Sequence, residues 1–171
     1  MQVANPPPRD PGRCSVFARQ AGAALADCYQ QALRPQQSPR LIVIRGNSAS
    51  GKSAVAAAVR ARYGKRGLAI ASQDNLRRVV LREHDLPGGA NVGLIDLTAR
   101  HALSRGFHVI VEGILRADHY GEMLTTLISD YASSAFPYFL DVPFDETLRR
   151  HATKTETLKY GEAEIRQWGV E

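Results

Sequence analysis

The most informative motif of this chain is Gly46-Asn47-Ser48-Ala49-Ser50-Gly51-Lys52-Ser53. It matches the pattern G-x-x-x-x-G-K-[ST] of a phosphate-binding loop, the P-loop. The β-branched apolar run of residues 41–44 precedes it and predicts a buried parallel strand. The alanine-rich residues 54–60 follow it and are strong helix-forming sequence. Strand, glycine-rich loop and helix in this order predict a P-loop rather than an ordinary tight turn.

The residue types of the loop indicate its chemistry. Gly46 and Gly51 allow the backbone to pass close to an anion, because neither carries a Cβ atom. The loop amides and the N-terminus of the next helix direct positive charge at phosphate groups. Lys52 is expected to reach the β- and γ-phosphates, and the Ser53 hydroxyl to coordinate Mg²⁺. The predicted nucleotide-binding residues are therefore Gly46, Asn47, Ser48, Ala49, Ser50, Gly51, Lys52 and Ser53.

Composition sets broad limits on the class of protein. The 171 residues are 44% hydrophobic, which is typical of one globular domain. No apolar run is long enough to span a bilayer, and the proline-rich N-terminus lacks the apolar core of a secretory signal. We therefore expect a cytoplasmic protein with no membrane partner.

The net charge of +5 suits an anionic ligand but supports nucleic-acid binding only weakly. Cys14 and Cys28 are predicted to be reduced thiols.

Strands alternate with helices along the chain. Apolar runs predict strands at residues 41–44, 68–71, 107–111 and 136–142. Helical patterns lie between them, near residues 74–83 and 92–104 and again around Met123 to Tyr131, with Asp118 as a possible cap. This order predicts an α/β fold of three layers, the P-loop NTPase fold, with a parallel sheet of four to five strands and helices on both faces.

The ends of the chain have their own predicted roles. Residues 1–12 are expected to form a flexible tail, and residues 13–171 a single P-loop domain. Within it, residues 14–34 predict a helix that packs outside the sheet or contacts a second copy in a homo-oligomer. Helices are also predicted for residues 144–151 and 162–168.

Asp74 follows the second predicted strand. In open α/β sheets, ligands bind at the carboxyl ends of the strands. A carboxylate there could accept the proton of a hydroxyl that attacks the γ-phosphate. Arg77 lies one helical turn further on, where it could hold Asp74 ionised or grip the acceptor. The alternative is that Asp74 is only the N-cap of its helix.

Glu112 ends the third predicted strand beside the P-loop strand. It could order a metal-bound water or accept a hydrogen bond from Ser53, so it is a second candidate for the Mg²⁺ site. Alternatively, it is a strand-end carboxylate bonded to nearby amides.

Residues 75–105 connect the strands that flank the cleft and are expected to shape the acceptor pocket. Its polar candidates are Arg78, Arg82, His84, Asn91 and Asp96.

These motifs together resemble one family. The P-loop, the Asp74-x-x-Arg77 pair and the arginine-rich helix after the fourth strand are similar to P-loop kinases of small acceptors, a group that includes polynucleotide 5′-kinase, zeta toxins, chloramphenicol phosphotransferase and gluconate kinase. The resemblance implies ATP as donor, Asp74 as general base and Arg77 as an acceptor contact. It also implies a lid at about residues 143–160, whose Arg150 and Lys154 cover the phosphates. Lys154 stands where many members carry a second arginine.

The resemblance spans roughly residues 40–155, and its motifs fix only about eight positions. For the pair of Arg149 and Arg150, a solvated helix face is the alternative.

Other P-loop classes fit less well. A guanine-reading segment of a GTPase has its nearest match at residues 153–156, where Glu156 occupies the base-reading position. Motor ATPases usually end a strand in Asp-Glu, whereas this strand ends in Val111-Glu112-Gly113.

Three hypotheses for the function remain. The first is an ATP-dependent kinase that phosphorylates a hydroxyl of a small molecule, with Lys52, Asp74, Arg77 and Arg150 as catalytic residues. The second is a polynucleotide 5′-hydroxyl kinase, and the third is an NTP-dependent switch or binding module that acts through a partner.

Overall fold

The computed structural model describes residues 38–143, 145–147 and 149. Within them, four parallel strands form one sheet in the order β2-β3-β1-β4. The strands are β1 (Leu41–Gly46), β2 (Leu68–Ser72), β3 (His108–Glu112) and β4 (Ala135–Leu140). The predicted α/β fold with a parallel sheet is therefore confirmed.

Within the same described residues, three α-helices connect the strands. They are α1 (Lys52–Tyr63), α2 (Ala90–Ser104) and α3 (Ala117–Asp130). A π-helix, Asn75–Leu81, lies between β2 and α2. Helix α1 starts at the P-loop lysine and ends at Tyr63. The next residue, Gly64, has a left-handed backbone (φ 66°) that lets its amide donate to the Arg60 carbonyl.

The core lies on both faces of β1. The side chains of residues 41–44 have no exposed surface, as expected for the central strand of a parallel sheet. Because side chains alternate along a strand, Leu41 and Val43 pack with α2 and α3, whereas Ile42 and Ile44 pack with α1. The helices thus cover both faces and give the three predicted layers.

Three local predictions differ from the structure. The segment after β2 was expected to form an ordinary helix through Glu83, but it is a π-helix that ends at Leu81. The strand β4 ends at Leu140, two residues before the predicted end. Asp118 lies inside the first turn of α3 and is not its cap; Arg116 occupies the cap position and forms an ion pair with Asp118 at 2.8 Å.

Several predicted segments lie outside the described residues. These are the tail at 1–12, the helix at 14–34, most of the lid at 143–160 and the last helix at 162–168. The division of the chain into a tail and one P-loop domain therefore stays a prediction. In the described part of the chain, none of the helices has the length and apolar character that crossing a bilayer requires.

Candidate active site

The carboxyl ends of β1, β2 and β3 meet at one edge of the sheet. In the register of the sheet, Glu112 at the end of β3 stands beside Ser72 at the end of β2 and beside Ile44 of β1. The P-loop leaves β1 two residues after Ile44, and Asp74 follows β2 two residues after Ser72. The topology therefore brings the P-loop, Asp74 and Glu112 together at the edge where parallel sheets bind ligands.

The P-loop is held in a tight conformation. The backbone of Gly46 has a φ of 151°, and a Cβ atom there would stand 2.8 Å from the Leu140 carbonyl oxygen of β4. The ammonium group of Lys52 donates to the Asn47 carbonyl at 2.6 Å and to the Ser50 hydroxyl at 3.2 Å. Lys52 is buried, so the loop carries a desolvated positive charge at its centre. This cradle suits the phosphates of a nucleotide.

Ser53 and Glu112 contact each other directly. The Ser53 hydroxyl donates to Oε2 of Glu112 at 3.0 Å, and Glu112 is only 3% exposed. A hydroxyl and a carboxylate side by side are the oxygen ligands that Mg²⁺ prefers. The residues present therefore fit a magnesium site next to the phosphate cradle. The contact also brings together the two residues that the sequence singled out for the metal.

Asp74 projects into the open part of this site. Its side chain is 69% exposed, and Oδ1 lies 3.2 Å from Nη2 of Arg77 and 3.1 Å from Nε of Arg78. The carboxylate makes no capping hydrogen bond to the π-helix, which argues against the alternative that it serves only as an N-cap. The two guanidinium groups instead orient the carboxylate from the helix side.

One cavity of about 290 Å³ joins these groups. The residues that line it include Lys52, Ser53, Asp74, Arg78 and Glu112. Lys52 and Asp74 therefore face the same space, although they lie on different strand ends. Arg77, which is largely buried with 12% of its side chain exposed, supports Asp74 from behind rather than lining this cavity.

The polar residues predicted for the acceptor pocket separate in the structure. Of the five, Arg78 lines the cavity, whereas the other four lie elsewhere. Asn91 is fully buried, so its prediction as a pocket surface residue is wrong. Asp96 pairs at 2.8 Å with Arg100, one turn later on α2. Both Arg82 and His84 are exposed on the loop after the π-helix.

Of the lid candidates, Arg149 lies within the described residues. Arg149 is exposed and forms an ion pair with Glu146 at 2.7 Å, one turn earlier, as expected of a solvated helix face. Arg150 and Lys154 lie outside the described residues, so their predicted contacts with ATP stay predictions.

A buried polar network behind the cavity was missed by the sequence analysis. Gln73 and Tyr120 are almost fully buried, and the Gln73 amide donates to the Tyr120 hydroxyl at 2.9 Å. The same hydroxyl lies 2.6 Å from a carboxylate oxygen of Asp85 and 2.6 Å from the amide oxygen of Asn91. Burial, followed by the hydrogen bond to Asp85, raises the pKa of the Tyr120 hydroxyl. It therefore stays a neutral hydrogen-bonding group.

One signal in the sequence could have revealed the burial of Gln73, although not its partners. Ala71 and Gln73 are spaced two apart at the end of β2, and Ala71 is buried. A continuation of the strand alternation would therefore point the Gln73 amide into the core. A buried amide requires hydrogen-bond partners, but the pattern does not say which residues supply them.

The class of protein follows from this geometry. A glycine-rich loop between the central strand of a parallel sheet and a helix that begins with lysine and serine defines the P-loop NTPase fold. Solved structures of two kinases share this fold, which confirms at the level of the fold the resemblance noted from the motifs.

Three solved structures illustrate the likeness. The APS kinase CysC of Mycobacterium tuberculosis, solved with AMPPNP and APS, has a TM-score of 0.59 and 24% identity, and the match covers 75% of this chain and 77% of that chain. A gluconokinase from Sinorhizobium meliloti has a TM-score of 0.53 and 18% identity, with 80% and 77% covered. A chain of the Pnkp1/Rnl/Hen1 RNA repair complex has a TM-score of 0.57 and 17% identity, with 80% of this chain covered.

This chain spans less than half of that RNA repair protein, 44% of its length. No protein-family model matches the sequence, and no curated protein sequence matches it either.

Proposed function

We propose that this chain is an ATP-dependent kinase that transfers the γ-phosphate to a hydroxyl group of a small-molecule acceptor. The observation that carries the proposal is that Lys52 and Asp74 line one cavity of about 290 Å³. A phosphate cradle alone serves any P-loop NTPase, whereas a carboxylate across the same cavity adds a proton acceptor for an attacking hydroxyl.

Each of these residues has a separate role in the transfer. The loop amides and Lys52 hold the β- and γ-phosphates, and Ser53 with Glu112 would hold Mg²⁺. A metal bound there would supply positive charge for the phosphate oxygens. Asp74 takes the proton of the acceptor hydroxyl. As it does so, the acceptor oxygen bonds to the γ-phosphorus, and the bond between the γ-phosphorus and the oxygen of ADP breaks. Arg77 and Arg78 orient the Asp74 carboxylate, and Arg150 and Lys154 of the lid cover the phosphates.

The decisive experiment is an acceptor screen that follows ADP release by the wild type and by Asp74→Asn in parallel. General-base removal typically lowers a rate by about 10²- to 10⁴-fold, so kcat for transfer should fall within that range. The affinity for ATP should stay unchanged, because the loop amides and Lys52 are the groups proposed to hold the phosphates. The matched control is Asp118→Asn, which removes another exposed aspartate paired with an arginine but lies outside the cavity. Transfer by Asp74→Asn at the wild-type rate would exclude Asp74 as the base.

A second candidate is a kinase of nucleic-acid 5′-hydroxyl ends. Arg78 on the cavity wall and Arg77 behind Asp74 place two guanidinium groups near the acceptor, which suits an acceptor that carries a phosphate. Incubation with labelled ATP and 5′-hydroxyl oligonucleotides separates the two candidates. Transfer to the oligonucleotide at rates above those for any small molecule would favour the nucleic-acid kinase.

A further inference from the structure

Gln73 joins the ends of two strands that carry candidate catalytic groups. It lies between Ser72 at the end of β2 and the exposed Asp74, but its own side chain is 2% exposed. The amide oxygen accepts a hydrogen bond from the Leu115 backbone at 3.0 Å. Leu115 belongs to the turn that follows Glu112. A single side chain therefore ties the backbone next to Asp74 to the backbone next to Glu112.

The turn that Gln73 holds has an unusual conformation. Leu115 is fully buried and has a φ of 48°, a left-handed conformation that leucine rarely adopts. Its carbonyl accepts from Nε of Arg45 at 3.0 Å, so both backbone polar groups of Leu115 bond to side chains. Such conformations persist where the surrounding structure holds them in place.

The contact between Gln73 and the turn is also close. A Cβ atom on Gly113 would overlap the amide oxygen of Gln73, so the Gln73 side chain lies directly against the α-carbon of Gly113. Gly113 and Ile114 line the cavity on their other side. Gln73 therefore packs behind Gly113 and Ile114, which follow Glu112 in the chain and form part of the cavity wall.

The orientation of the Gln73 amide is fixed by its partners. Its oxygen faces an N–H donor, while its nitrogen donates to the Tyr120 hydroxyl at 2.9 Å and to the Asp85 carboxylate at 3.2 Å. A flipped amide would lose the hydrogen bond from Leu115 and would place its oxygen against the Asp85 carboxylate. Tyr120 is itself anchored by Asp85 and Asn91. The network thus holds Gln73 in one position.

We propose that Gln73 is a positioning residue for phosphoryl transfer, which sets the distance between Asp74 and Glu112 across the cavity. The proposal rests on the proposed kinase function, because phosphoryl transfer requires the base Asp74 and the proposed metal ligand Glu112 to be held at a fixed distance. Catalytic groups must be held to about 0.5 Å, so a link between the two strand ends is a direct way to do so. Tyr120 acts through Gln73, since it holds the amide in place.

The test replaces Gln73 with methionine, which keeps the length of the side chain and removes its hydrogen bonds. Loss of supporting hydrogen bonds of this kind typically costs about 10- to 100-fold in activity, so kcat should fall in that range. KM for ATP should stay unchanged, because Gln73 does not line the cavity that the P-loop forms. The matched control is Val109→Ala, a buried change in β3 outside the network, which should leave kcat as in the wild type.

Two readouts separate positioning from a general loss of structure. Amide hydrogen exchange at Leu115 should become faster in Gln73→Met but not in Val109→Ala. The double variant Gln73→Met/Asp74→Asn should have the same residual kcat as Asp74→Asn alone, because the distance between residue 74 and Glu112 no longer affects the rate once the base is gone. If Gln73→Met does not fold, Tyr120→Phe gives the same tests, since it removes one partner of the Gln73 amide and keeps the ring.

The outcomes are distinct. Wild-type kcat in Gln73→Met, an unchanged Leu115 exchange rate, or losses that multiply in the double variant would each overturn the positioning role and leave the kinase proposal standing. A wild-type protein that phosphorylates no acceptor in the screen would overturn the proposed function, and the positioning role with it. A lower kcat with unchanged KM, faster exchange at Leu115 and no further loss in the double variant support the proposal.

Discussion

At the scale of single residues, the neighbours of Glu112 distinguish its two possible roles. A strand-end carboxylate needs only nearby amides, whereas this one accepts from the Ser53 hydroxyl at 3.0 Å inside the proposed magnesium site. Glu112 is 3% exposed, and a buried carboxylate is costly unless a partner or a cation compensates its charge. The contact with Ser53 and the burial of Glu112 therefore support its proposed role as a metal ligand.

The substitution Glu112→Gln tests that role. The amide oxygen of glutamine can still accept from Ser53, but it lacks the negative charge that attracts Mg²⁺. The magnesium concentration for half-maximal activity should rise about 10- to 100-fold. Titration of activity with MgCl₂ at saturating ATP gives the measurement, and Glu122→Gln, an exposed change on α3, is the control. An unchanged magnesium requirement would assign Glu112 to the structure alone.

At the scale of elements, the N-terminus of α2 is stabilised by a side chain from outside the helix. Glu83 accepts from the backbone amides of Ala90 at 2.8 Å and Asn91 at 2.9 Å, so its negative charge lies at the positive end of the helix. This contact also fixes the loop of residues 82–89, which leads from the π-helix to α2. Glu83 therefore connects the segment after the π-helix, which begins next to Asp74, to the N-terminus of α2.

Replacing Glu83 with alanine should lower the free energy of unfolding by about 1 kcal/mol, because two helix-end amides lose their acceptor. Denaturant unfolding gives the measurement. Glu122→Ala on α3 is the control, and as an exposed surface change it should stay within about 0.5 kcal/mol of the wild type. Equal stability of Glu83→Ala and the wild type would mean that water replaces the carboxylate at no cost.

His108 at the start of β3 makes the stability depend on pH. Its Nδ1 accepts from the Arg40 backbone at 3.2 Å, a bond that requires a neutral ring nitrogen. Burial, followed by the charges of Arg40 and Lys65, lowers the pKa of His108 from its ordinary value. The unfolded chain then binds more protons than the folded chain. The contribution of His108 is therefore present above about pH 6.5 and is lost as the pH falls below it.

The substitution His108→Asn keeps an acceptor near the Nδ1 position and removes the titration. The free energy of unfolding should therefore fall less steeply below about pH 6.5 in this variant than in the wild type. Urea unfolding over a pH series measures the slope, with His101→Asn, an exposed change on α2, as the control. Parallel curves for His108→Asn and the wild type would contradict the assignment.

At the scale of the whole molecule, the sequence predicts the sheet and the nucleotide side of the site, because both depend on local patterns. The apolar run before Gly46 and the helix-forming run after Ser53 suffice for the P-loop. The approach of Asp74 to Lys52 could also be expected, since parallel strands end at one edge. The network of Gln73, Tyr120 and Asp85 could not, because hydrogen bonds between residues far apart in sequence leave no periodic pattern.

The π-helix after β2 was missed for a related reason. Its residues Asn75–Leu81 carry the same local signals as an ordinary helix. Hydrogen bonds that span one extra residue depend on how the segment packs on its neighbours rather than on its composition. Acceptor recognition has the same limit, as Asn91 shows: its polar side chain was expected in a pocket, but it is buried and bonds to Tyr120.

The binding of nucleotide should stabilise the whole fold, because the P-loop joins the central strand to α1. A ligand at about 100 times its Kd adds about 2.7 kcal/mol to the free energy of unfolding. For a domain of this size, that corresponds to a rise in Tm of roughly 5–10 °C. Thermal unfolding with and without MgATP should show this rise in the wild type and in Asp74→Asn, but not in Lys52→Ala. Lys65→Ala, a lysine at the turn after α1, is the matched control and should retain the rise. An equal rise in Lys52→Ala would mean that the nucleotide binds somewhere other than the P-loop, and the kinase proposal would lose its donor site.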